Sequence, residues 1–93
     1  MATTPETTSP VTVFVASWCP FCSRLIADLG RADLPEGTVE IVDVDAPDAE
    51  SISEWIESVN DGNRVVPTVL YSDGTHATNP PAADVLAKIG ELS

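Results

Sequence analysis

Apolar positions along the chain change period several times, and each change marks an element. Val11-Thr12-Val13-Phe14-Val15-Ala16 is a short apolar run and reads as a strand. From Phe21 the spacing lengthens. Phe21, Leu25 and Leu29 recur every fourth residue with Ile26 beside them, which predicts a helix over 21–29 with Gly30 as its stop. Thr38 to Asp45 is rich in β-branched residues and reads as a second strand. A helical crossover between two strands implies a parallel, right-handed pair. Asp45 or Ala46 then caps a second helix, with Pro47 in its first turn and Asp48 and Glu50 near its positive end. Ile52, Trp55, Ile56 and Val59 fall at i, i+3, i+4 and i+7, the cleanest amphipathic pattern in the chain, and Trp55 is placed in the core.

Residues 60–64, Asn-Asp-Gly-Asn-Arg, are turn chemistry throughout. Val65 to Tyr71 resumes a strand, Ser72-Asp73-Gly74-Thr75 reads as a hairpin turn, and a short strand follows around His76 to Thr78. Asn79 is a suitable N-cap for a last helix with Pro80 at its first position and Val85, Leu86, Ile89 and Leu92 on its buried face. The expected order is β-α-β-α-β-β-α, an α/β fold.

Ninety-three residues suffice for one domain, and 43% apolar content is ordinary for a folded protein. No stretch approaches the roughly 20 apolar residues that cross a bilayer. Residues 1–10 are Thr/Pro-rich without a basic or apolar core, so they are expected to be a disordered leader rather than a secretory signal, with the domain over 11–93. The expected location is the cytosol, where a close cysteine pair is catalytic or metal-binding more often than structural. Fifteen acidic residues against Arg24, Arg31, Arg64 and Lys88 give a formal charge of −11. Nucleic acid and anionic membranes are excluded as partners, because both demand a basic surface.

The chemistry sits in Cys19-Pro20-Phe21-Cys22, which holds the only two cysteines and joins the first strand to the first helix. A thiol at that junction meets free backbone N–H groups and the positive end of the helix dipole, and both favour the thiolate that attacks disulfide sulfurs. A zinc site is disfavoured, since two thiols and the single His76 leave a tetrahedral shell short of ligands. No metal is expected. Pro67 alone would read as a trans strand-start proline.

The order of elements, the C-x-x-C at the first strand–helix junction and the Val66-Pro67-Thr68 before the third strand resemble the thioredoxin fold, and within it the glutaredoxins. Trp18-Cys19-Pro20-Phe21-Cys22, the stretch Ser58 to Val69, and Asp73-Gly74-Thr75 leading to Thr78-Asn79-Pro80 are similar to the mycoredoxins, glutaredoxin-like reductases of bacteria that use mycothiol. One departure is Phe21, where glutaredoxins usually carry tyrosine.

The resemblance implies a four-stranded mixed sheet flanked by three helices. Cys19 is implied as the exposed, low-pKa nucleophile and Cys22 as the more buried resolving thiol. It also implies a cis Val66–Pro67 bond facing them, with Val66 offering its backbone to the incoming thiol. Trp18, Pro20 and Phe21 are assigned to substrate contact, and Gly74 and Thr75 to the low-molecular-weight thiol. Arg64 is either a groove-lining donor or a solvated loop charge, and Arg24 either assists the thiolate or is plain surface. His76 is placed on the surface.

The implied activity is reduction of mycothiol–protein mixed disulfides by a monomer without a tightly bound cofactor. Mycothiol is the co-substrate, and electrons come from NADPH through a mycothiol disulfide reductase. The charge agrees. Glutathione brings two carboxylates that need cationic donors, whereas a neutral sugar–inositol thiol is indifferent to −11. Two alternatives stay open: a dithiol reductase of the thioredoxin or ribonucleotide-reductase-linked kind, and an iron–sulfur or scaffold module, the cluster being disfavoured by Pro20.

Overall fold

The computed structural model describes residues 9–46, 50–63 and 65–92. Among them the elements run β1 Val11–Val15, α1 Pro20–Arg31, β2 Val39–Asp43, α2 Glu50–Val59, β3 Thr68–Tyr71, β4 His76–Thr78 and α3 Ala82–Leu92. They form the expected thioredoxin-like α/β fold. One four-stranded sheet has the order β2-β1-β3-β4, with β1–β2 parallel and the other two pairs antiparallel. The parallel pair follows from the α1 crossover, as the alternating pattern requires. Of the expected leader, residues 1–8 lie outside the described residues, while the Pro10 carbonyl accepts from Ser72 N–H at 2.9 Å and so already belongs to the sheet's margin.

Strand β1 is one of the two inner strands, and all five of its residues are buried. Alternation along a strand sends Thr12 and Phe14 to one face and Val11, Val13 and Val15 to the other. The Phe14 face is covered by α2, whose buried Trp55 packs tilted against Phe14 with ring centroids 5.6 Å apart. Helices α1 and α3 pack together and cover the opposite face. The core is therefore two apolar layers on either side of one β-branched strand, the usual way a small α/β domain hides a sheet.

Four boundaries differ from the sequence expectation, each for a local reason. Helix α1 runs through Gly30 to Arg31 and is capped by Ala32, whose N–H bonds to Leu29 O at 3.2 Å; Asp33 then turns left-handed at φ 53°. Its buried stripe is Cys22, Leu25 and Leu29, which leaves Phe21 off the stripe and exposed rather than on the apolar face. The third strand begins at Thr68, not Val65, because Pro67 has no N–H to give to the ladder. Asn79 does not cap α3. It sits at φ 47° and donates its N–H to Pro67 O at 2.7 Å, and the tandem Pro80-Pro81 delays the helix to Ala82. The second strand is also shorter than expected, and of the expected α2 cap Pro47 and Asp48 lie outside the described residues.

Candidate active site

The chain leaves β1 at Val15 and enters α1 at Pro20, so whatever side chain caps that helix lies at the carboxyl end of β1. That residue is Cys19. Its backbone is extended (φ −92°, ψ 114°), Pro20 supplies the pre-set first helical position, and the Cys19 Sγ accepts the Cys22 backbone N–H at 3.3 Å. A cysteine thus stands where serine or aspartate usually caps a helix. A backbone donor aimed at the sulfur is the chemistry that steadies the charge developed on ionisation.

Strand β3 runs antiparallel to β1, so its start, at Pro67, returns to this same end of the sheet. The Val66–Pro67 bond is cis, as the resemblance implies, and the Cys19 thiol donates to Val66 O at 3.7 Å. The segment is braced from behind. Asn60, just after α2, donates through Nδ2 to Ile56 O at 2.8 Å and to Thr68 Oγ1 at 3.4 Å. Its Oδ1 accepts from Thr78 Oγ1, and Thr68 Oγ1 donates to Val65 O at 2.7 Å. One carboxamide therefore ties the end of α2 to both strands of the hairpin where they reach the thiols.

The two cysteines are free thiols in distinct environments. Burial, and next its hydrogen bond to Cys19, push the Cys22 thiol up to about 11 from an ordinary 9.0. Cys22 is accordingly a protonated partner beneath Cys19 at neutral pH. A cavity of about 330 Å³ lies between α1 and the 79–82 segment, lined by Phe21, Arg24, Leu25, Asp28, Asn79 and Pro80 among others.

The glutaredoxin family model matches residues 11–77, the span that carries this pair and its facing proline. The chain belongs to the glutaredoxin family. Mycoredoxin 1 of Corynebacterium glutamicum is 51% identical over 85 residues, covering 91% of this chain and 99% of that protein. Glutaredoxin-1 of variola virus is 32% identical over 96 residues, covering 92% and 88%. The Archaeoglobus fulgidus glutaredoxin structure matches with a TM-score of 0.67 at 23% identity, covering 87% of this chain and 86% of that one, a likeness of fold. This glutaredoxin is a mycoredoxin-like thiol–disulfide oxidoreductase of thioredoxin fold.

Within this glutaredoxin, Cys19, Cys22, Pro20, Phe21, Val66 and Pro67 come together at one end of the sheet. Cys19 is not exposed as expected: only 3% of it is accessible, because its side chain turns back to cap α1 and meets Val66. The exposure falls instead on its neighbours. Trp18 is 67% and Phe21 60% exposed, and the Trp18 indole N–H donates to Asp45 at 2.9 Å. Arg24 lines the cavity, His76 is on the surface against the edge of Trp55, and Arg64 lies outside the described residues.

Gly74 and Thr75 are not brought to the cysteines. The register pairs Val11 with Tyr71 and Phe14 with Thr68, so the β3–β4 turn sits at the far end of the sheet. There Thr75 bonds Asp73 through N–H (3.0 Å) and hydroxyl (2.6 Å), and Lys88 of α3 pairs with Asp73 at 2.7 Å. Those contacts brace the hairpin against α3. The segment that does return to the thiols is Thr78-Asn79-Pro80, immediately after β4. Strand direction was the available signal: a turn leaving from Pro67's strand must point away from Pro67. Asn60 lay within the Ser58 to Val69 stretch but read only as turn chemistry, and Asp28 lay in no motif.

Proposed function

We propose that this chain reduces mixed disulfides between proteins and mycothiol with Cys19 as the attacking thiolate and Cys22 outside the productive cycle. The observation that carries this is the asymmetry of the pair: Cys19 Sγ caps α1 and faces Val66 O, while Cys22 is held protonated near 11. At pH 7 a thiol of that kind is ionised in roughly one molecule in ten thousand, which suits a hydrogen-bonding partner better than a second nucleophile.

The cycle balances without an outside oxidant. The Cys19 thiolate attacks the mycothiol sulfur of the mixed disulfide; a Cys19–mycothiol disulfide forms, and the protein leaves as thiolate and takes a proton from water. A second mycothiol thiolate attacks the mycothiol sulfur on Cys19, restoring the Cys19 thiolate and releasing mycothiol disulfide. NADPH reduces that product through a mycothiol disulfide reductase. Val66 presents its backbone for a short strand-like contact with the peptide-like part of the thiol, and Trp18 and Phe21 supply apolar surface on either side. A Cys19–Cys22 disulfide is a side product that mycothiol reopens.

The donor decides between this and the dithiol alternative. NADPH oxidation is followed with a mycothiolated protein as substrate, using mycothiol with its reductase, glutathione with its reductase, or thioredoxin reductase alone. Turnover with mycothiol is expected. Equal turnover with thioredoxin reductase alone contradicts the proposal. An iron–sulfur module is tested by visible absorbance after anaerobic purification, and a colourless protein is expected.

A further inference from the structure

We propose that the open edge of β2, with the groove beside it, docks an extended segment of a partner protein in which apolar residues alternate with lysine or arginine. The inference stands apart from the identity of the small thiol.

Strand β2 is an edge strand, paired only with β1. The ladder is parallel with Val11 opposite Val39, and its ends are fixed by Val11 N–H on Thr38 O (3.2 Å) and Val44 N–H on Val15 O (2.9 Å). Hydrogen bonding alternates along a strand, so Glu40 and Val42 also turn their backbone groups to β1. Val39 and Ile41 turn theirs outward. The N–H and C=O of both residues therefore face away from the sheet, a template for another strand.

The side chains mark the same edge. Ile41 is 49% exposed, and among the described residues it is the one large apolar side chain in water besides Trp18 and Phe21. It borders a groove of about 400 Å³ that it forms with Val39 and with Ile26, Leu29 and Leu34 of α1 and the following loop. A strand added to β2 would lay every second side chain into that groove.

The surrounding charge selects the occupant. Asp33 and Glu36 rim the groove, Glu40 projects from the other face of the strand, and Asp43 ends it. No basic residue lines the groove among the described residues. Arg24 lines the cavity by the 79–82 segment, Arg31 is paired with Asp28, and Lys88 is paired with Asp73. A second copy of this chain would bring the same acidic edge, and residues 1–8 hold Glu6 and no lysine or arginine. A basic segment of period two fits both faces, with apolar residues beside Val39 and Ile41 and a cation beside Glu40. Strand direction agrees. Strand β2 runs parallel to β1, so Asp43 lies at the thiol end, and Asp45 just beyond it holds the Trp18 indole at 2.9 Å. A segment paired along β2 thus leads towards the end of the sheet where a protein disulfide must be delivered.

The test is titration of the reduced full chain with an N-acetylated peptide of alternating lysine and valine, long enough to span the five residues of β2. Amide chemical shifts and hydrogen exchange follow the binding. In the free chain the Val39 and Ile41 amides should exchange without protection while Glu40 and Val42 are protected. The peptide should protect Val39 and Ile41 and shift signals over residues 33–43. The same peptide with its backbone amides N-methylated keeps charge and side chains but has no donors, and should bind about ten-fold more weakly. Ile41→Thr keeps a β-branched residue and should weaken binding about five-fold, the worth of leaving half an isoleucine unburied. If that variant fails to fold, the two peptides on the wild type decide alone. Equal binding of the two peptides, or shifts confined to other surfaces, overturns the proposal and leaves charge attraction only. Protection of Val39 and Ile41 in the free chain also overturns it. Protection independent of concentration assigns the edge to a segment of this chain, and protection that grows with concentration assigns it to a second copy.

Discussion

Replacing Cys22 with serine removes a group whose proton is linked to folding, and the size of that linkage follows from the site. Burial, then the bond to Cys19, raise the Cys22 thiol from 9.0 to about 11 in the native state. The sign follows directly. A raised thiol keeps its proton in the folded chain while the unfolded chain gives it up, so the stabilisation is complete below pH 9 and is lost as pH climbs towards 11. Integrating between pH 8 and pH 10 gives a loss on the order of 1 kcal/mol. For a domain of this size that corresponds to a Tm fall of about 5–10 °C.

Other groups titrate in the same window. Tyr71 is raised by burial, and Lys88 is raised first by its bond to Asp73. Both are common to wild type and Cys22→Ser, so the difference between the two slopes isolates Cys22. The assay is thermal unfolding at pH 8, 9 and 10 under reductant, followed by the fluorescence of buried Trp55 and by near-UV circular dichroism. The wild type should lose about 5–10 °C more than Cys22→Ser from pH 8 to pH 10. Parallel curves would refute the reasoning and reopen Cys22 as an easily ionised second nucleophile.

Other consequences are equally specific. Asn60→Ala removes the carboxamide that ties Ile56, Thr68 and Thr78 together; urea unfolding should show about 2 kcal/mol lost, and KM for mixed disulfides should rise because Val66 and Asn79 lose their shared brace. Thr12 Oγ1 is buried without a hydrogen-bond partner among the described residues. Thr12→Val should therefore raise the urea midpoint, by about 1 kcal/mol of stability at unchanged m. Asp45→Ala frees the Trp18 indole. In a Trp55→Phe background the Trp18 anisotropy should fall, and KM for protein mixed disulfides should rise about two-fold, the worth of a weak exposed hydrogen bond.

Local chemistry was legible along the chain; long-range direction was less so. The β1 run, the α2 stripe with Trp55 inside, and the cysteine pair at a strand–helix junction are short-range signals, and the structure keeps all three. The errors share one cause, which is that capping and exposure are settled by partners distant in sequence. Asn79 looks like an N-cap until Pro67 O claims its N–H. Cys19 looks exposed until it is seen capping its own helix against Val66. Gly74 and Thr75 resemble a ligand-binding turn, yet the antiparallel register of β3 on β1 carries them to the opposite end of the sheet. Phe21 and Leu25 share a helical spacing, but the buried stripe runs through Cys22, Leu25 and Leu29 and leaves Phe21 outside it, a rotation that periodicity alone does not reveal.

The division of labour between the two cysteines is tested most directly by turnover of a mycothiolated protein with mycothiol, its reductase and NADPH, comparing wild type, Cys19→Ser and Cys22→Ser. Cys19→Ser should be inactive, and Cys22→Ser should turn over at least as fast as wild type, since it loses only the side-product disulfide. Loss of activity in Cys22→Ser, or activity surviving in Cys19→Ser, would contradict the assignment of Cys19 as the single working nucleophile.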